Sequence, residues 1–73
     1  MQKTYYFIVE SLTAAMRGKE LLNRTSIPAQ IRKTPREYSN LGCGFCIVVF
    51  SEPQKAKKIL ERNSVKVLSL KER

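Results

Sequence analysis

Phe45-Cys46-Ile47-Val48-Val49-Phe50 is the most hydrophobic stretch of the chain, and its reading decides the fold. A short, unbroken apolar run bounded by turn residues predicts a strand buried in the middle of a sheet. Gly42-Cys43-Gly44 stands directly before it as a tight, glycine-bracketed turn. Further back, Pro35-Arg36-Glu37-Tyr38-Ser39-Asn40 is a polar connection, and Ala29 to Thr34 can form another strand with Ile31 inward. The run therefore reads as the central strand.

Tyr5-Tyr6-Phe7-Ile8-Val9 is aromatic and β-branched and predicts a first strand, also central because its apolar residues do not alternate. Ser11 or Thr13 offers an N-cap for a helix. Ala14, Ala15, Gly18, Leu21 and Leu22 follow at helical spacing, with Arg17, Lys19, Glu20 and Arg24 largely off the stripe. Gly18 costs about 1 kcal/mol of helix propensity relative to Ala, and on the buried stripe it would let the helix lie close to the sheet. The helix is expected to end between Asn23 and Ser26, since Ile27 precedes Pro28 and is driven toward extended geometry.

Beyond the central run, Ser51 with Gln54 reads as a capping box, and Pro53 suits a first helical turn. Ala56, Ile59 and Leu60 form a second buried stripe, while Lys55, Lys57, Lys58 and Arg62 read as a solvated face. Val65 to Leu70 reads as a closing strand. The strand-helix-strand order occurs twice, which predicts an α+β, ferredoxin-like βαββαβ domain over residues 1–73. Its four-stranded antiparallel sheet would carry both helices on one face and leave the other open.

The 73 residues allow one domain, which buries only about 60% of its unfolded surface. A carrier or binding module is favoured over an autonomous enzyme. Fourteen Lys and Arg against six Asp and Glu give a formal charge of +8, which draws in acidic partners of some kind. No apolar run approaches the roughly 18–20 residues of a membrane span, and no signal peptide is legible. Two cysteines without an export signal suggest thiols in a reducing cytoplasm. With no histidine, the usual general base for a Ser-His or Cys-His nucleophile is absent from the chain.

Cys43 is the one credible chemical site. Its flanking glycines let another backbone approach, and Lys33 and Arg36 are near enough in sequence to favour a thiolate and guide an anion. The plainer reading makes Cys43 a small apolar residue at a strand end. Cys43 and Cys46 also spell C-x-x-C. Three residues of extended chain span about 10 Å, against a limit of about 7 Å for a disulfide, unless a turn at Gly44 shortens the path. A structural zinc site takes four ligands and two thiols cannot supply them, so no metal and no cofactor is expected. Cys46 reads as a core residue and only secondarily as a second thiol.

The series Ser11…Ala14, Leu21-Leu22, Ile27-Pro28, Pro35-Arg36-Glu37 and Gly42-Cys43-Gly44 resembles a family of small bacterial selenium/sulfur carrier-like proteins, a domain of otherwise unknown function. The likeness runs from about Tyr5 to Val65, and its most specific parts are Pro35-Arg36-Glu37 and Cys43-Gly44. Ser26 departs from it, since the family tends to carry glycine before Ile-Pro, and Cys46 is an addition. The resemblance implies a cysteine that bears sulfur or selenium, here Cys43, with Arg36 positioning an anionic intermediate. Partners would then be enzymes that donate and accept the cargo, with a homodimer through the open sheet face as a further option.

Two other classes stay open. Small RNA-binding domains share the βαββαβ order, and Gly42-Cys43-Gly44-Phe45 partly resembles their third-strand signature. However, Cys43 and Ile8 replace aromatic residues on which bases would stack, and each stacked base contributes on the order of 1–3 kcal/mol. A non-catalytic interaction domain would use the open sheet alone and be indifferent to Cys43.

Overall fold

The computed structural model describes residues 3–38 and 44–72. Tyr5–Val9 forms β1, Leu12–Arg24 α1, Ala29–Lys33 β2, Phe45–Val49 β3, Pro53–Arg62 α2 and Val67–Glu72 β4, with a 3-10 turn at Arg36–Tyr38. The four strands make one antiparallel sheet in the order β2-β3-β1-β4. This is the ferredoxin-like arrangement that the repeated strand-helix-strand pattern predicts. The two unbroken apolar runs are its central strands, where both faces of each strand are covered.

Alternation along the strands divides the interior in two. Phe7, Val9, Ile47 and Val49 join Ala15, Leu22, Ala56 and Leu60 in a core between sheet and helices. Ile8, Cys46 and Val48 form a second buried cluster on the other face. The sequence reading left that second face open, but Tyr6, Tyr38 and Phe50 pack over it. Tyr38 belongs to the 3-10 turn, so this turn brings an aromatic ring over the sheet. Its ring centroid lies 6.1 Å from that of Tyr6 at a tilt of 52°, and the Lys71 ammonium stands 5.8 Å above it.

Gly18 is buried in α1 at the closest approach of helix and sheet. A Cβ there would lie 2.4 Å from Ile47 Cδ1 and 2.9 Å from Leu60 Cδ2, closer than any methyl group is tolerated. The space that a side chain would fill is what brings α1 against both β3 and α2.

Ser11 caps α1, its Oγ accepting from the Ala14 N–H at 3.0 Å. The second helix starts otherwise than the capping-box reading proposed. Its N-cap is Glu52, in the left-handed region at φ 49°, with no side-chain cap bond. Pro53 at N1 fixes where the helix begins, and the cap falls one residue beyond Ser51. Both helices end alike. Ser26 and Ser64 adopt φ 65° and 64°, the next residue donates back to the third-last helical carbonyl (Ile27 N–H to Leu22 at 2.9 Å, Val65 N–H to Leu60 at 2.8 Å), and Ile27 and Val65 are buried. This is the Schellman closure. It explains why glycine suits the position of Ser26, and why Val65 lies in the core yet outside β4. The last strand begins at Val67 and runs two residues past Leu70 because its pairing with β1, not its apolar pattern, sets its limits.

Candidate functional site

The described members of the predicted site lie where β2 ends and β3 begins, at one end of the sheet. Its register runs without interruption from Ala29–Val49 to Lys33–Phe45, and the Thr34 N–H donates to the Gly44 carbonyl at 2.8 Å, which closes the connection. Gly44 has φ 94°, a conformation that costs a side-chain-bearing residue strain, and a Cβ there would meet nothing within 4 Å. Glycine is therefore required at this position by backbone geometry rather than by crowding.

Lys33 is the last residue of β2 and is exposed. Arg36 opens the 3-10 turn three residues on, held there by the Tyr38 N–H donating to the Pro35 carbonyl at 2.9 Å. The structure thus gathers Lys33, Arg36 and Gly44 at the same end of the sheet. Gly42 and Cys43 lie outside the described residues. Cys43 directly precedes Gly44 in sequence.

Cys46 is fully buried between β2 and β1, its Sγ 3.6 Å from the Arg32 carbonyl to which the thiol donates. Among the described residues, no disulfide engages it. The core reading of Cys46 is the one that this geometry supports. Phe45, one residue earlier, alternates with it and so falls on the helix side of the sheet. The half-buried aromatic surface of the other face is instead Tyr6, Tyr38 and Phe50.

Thr34 and Tyr38 belong to this region and were not singled out by their sequence. Thr34 is only 7% exposed, and its Oγ1 is buried without a hydrogen-bond partner, a costly state for a hydroxyl. The signal for it lies in the register: continuing the β2–β3 pairing by one step places Thr34 opposite Gly44, but that step is legible only once the strands are paired. Two grooves lie away from this region, one of about 350 Å³ between α1 and β2 and one of about 430 Å³ near Glu61 and Lys66.

Comparison with known families matches residues 4–72 to the family described as "Putative Se/S carrier protein-like". The match spans nearly the whole chain, including both arms of the hairpin and the connection between them. No curated protein and no solved structure matches the chain.

Proposed function

The chain belongs to the Se/S carrier-like family, and on that premise we propose that it is a thiol-based carrier whose Cys43 bears sulfur or selenium. The family match is the observation that carries this reading. Two features support the choice of thiol. Cys46 is fully buried, and Cys43 directly precedes in sequence Gly44, which lies at the end of the sheet where Lys33 and Arg36 also lie.

The chemistry asks little of the domain. The Cys43 thiolate attacks the outer sulfur of a donor's persulfide; the new S–S bond forms as the donor's bond breaks and the donor cysteine leaves as thiolate. The proton on the outer sulfur travels with it. Delivery to an acceptor repeats the exchange in the opposite sense. Cationic neighbours favour the thiolate, so Lys33 and Arg36 would hold the anionic form and orient the incoming group. The partner enzymes supply any acid or base, consistent with a chain that has no histidine. No helix in the described residues is long and apolar enough to cross a membrane, and we place the exchange in a reducing cytoplasm, where thiols persist.

Intact mass spectrometry tests this. The wild type, Cys43→Ser and Cys46→Ser chains are incubated with a cysteine desulfurase and free cysteine. One added sulfur in the wild type and Cys46→Ser, and none in Cys43→Ser, is the expected result. Equal labelling of both variants, or none of the wild type, removes the carrier assignment.

A further inference from the structure

The sheet has two edges, β2 and β4. The β4 edge is interrupted: Val9 pairs with Val67 and Ile8 with Ser69, leaving Leu68 as a bulge, a device that spoils an edge for further pairing. The β2 edge has no such defect.

The phase of its hydrogen bonds follows from two contacts. Thr34 donates to Gly44, and the same register makes Arg32–Cys46 and Gln30–Val48 the bonded pairs with β3. Bonded and non-bonded pairs alternate in an antiparallel ladder, so the backbone groups of Ala29, Ile31 and Lys33 point away from β3. The Ala29 N–H does point outward, donating to Asn23 Oδ1 at 3.0 Å. The N–H and C=O groups of Ile31 and Lys33 follow it along the outer edge, where the sheet has no further strand.

Beside this edge lies the groove of about 350 Å³ lined by Met16, Lys19, Glu20, Asn23 and Ile31. Met16 is 57% exposed and Ile31 half-buried. Directly paired residues share a face of the sheet. A strand laid along β2 would therefore send the side chain opposite Ile31 into the groove. Its neighbours would face the other way, opposite Gln30 and Arg32, both exposed. The charge beside the edge is positive: Lys19, Arg32 and Lys33 are exposed, while Glu20 is already paired with Arg24 at 2.7 Å.

We propose that β2 is a docking edge for an extended acidic segment of a partner protein, which adds as a fifth strand, seats one apolar side chain in the α1–β2 groove and sets carboxylates against Arg32 and Lys33. Strand addition of this kind draws affinity from main-chain bonds and selectivity from pockets for alternate side chains. A second copy is a poorer occupant. Self-pairing about Ile31 would bring Arg32 and Lys33 of both copies to one seam between chains that each carry +8. β2 ends at Lys33, ten residues before Cys43 in the chain. The docking itself does not depend on what Cys43 carries.

The probe is a blocked peptide, Glu-Glu-Leu-Thr-Val, added to the full chain labelled with nitrogen-15. Amide hydrogen exchange at Ile31 and Lys33 is expected to slow by roughly tenfold or more at saturation, in Cys43→Ser as in wild type. The same peptide N-methylated at Leu, which removes its central donor, is expected to give no protection. Met16→Glu and Lys33→Glu each weaken binding while preserving the fold, since both residues are exposed. Unchanged exchange at Ile31 and Lys33, or equal protection by the methylated peptide, overturns the proposal. Protection without peptide that grows with protein concentration overturns it in favour of a second copy.

Discussion

The thiol of Cys46 donates to the carbonyl oxygen of Arg32 across 3.6 Å, joining β3 to β2 from inside the second, helix-free core. With its side chain fully buried, Cys46 is closed to solvent-borne reagents. An alkylating reagent is expected to leave Cys46 unmodified in the folded protein and to modify it on denaturation. Peptide mapping after brief iodoacetamide treatment checks this; rapid native labelling of Cys46 would contradict its burial.

Tyr38 is the lid of that core. Tyr38→Ala removes the ring over Ile8, Cys46 and Val48, with an expected loss of about 1–2 kcal/mol for partial exposure of an apolar cluster. Denaturant titration measures the loss, and Cys46 alkylation in the folded variant should accelerate. A stability change without faster alkylation would mean that Tyr38 supports the cluster without shielding the thiol.

Gly18 sets two effects against each other. Alanine improves helix propensity by about 1 kcal/mol, but the added methyl meets Ile47 and Leu60 inside a filled core, where overpacking costs about 1–3 kcal/mol. Gly18→Ala is expected to be destabilising by about 1 kcal/mol and Gly18→Val by several times more. A thermal melt of the pair decides whether close approach or mere propensity governs this position.

Ser26 and Ser64 hold left-handed backbone that costs an L-residue about 1–2 kcal/mol. Part of that gain is returned through the greater freedom of glycine in the unfolded chain. Ser26→Gly and Ser64→Gly are each expected to stabilise by about 0.5–1 kcal/mol, and additively, because they close different helices. A lower midpoint in urea for either would show that its hydroxyl contributes more than the strain it imposes.

Asn23 ties the last turn of α1 to the outer edge of β2 through its bond to the Ala29 N–H. Asn23→Ala should cost about 1 kcal/mol and speed exchange of the Ala29 amide. Unchanged exchange there would contradict the outward phase of the β2 edge.

Much of the fold was legible in the chain itself because it is written in local periodicity. The unbroken runs at Tyr5–Val9 and Phe45–Val49 identified the two central strands, and the stripes through Leu22 and Leu60 identified the helices that cover them. Turn chemistry was partly legible: Ser11 acted as the cap, whereas Ser51 did not, since Pro53 moved the start of α2. The start of β4 was misplaced because Val65 is apolar for a helix closure and not for a strand.

The site divides in the same way. Residue types and their order marked Cys43, Lys33, Arg36 and the flanking glycines, and nearly the full length of the chain matches the family that this order resembles. What tertiary structure decided was the burial of the Cys46 thiol, the cover that Tyr38 lays over the second core, the seclusion of Thr34 and the outer edge of β2. None of these follows from periodicity along one element. Each is created when strands distant in sequence pair, because pairing alone determines which backbone groups are used, which face a side chain joins and which edge is left facing solvent.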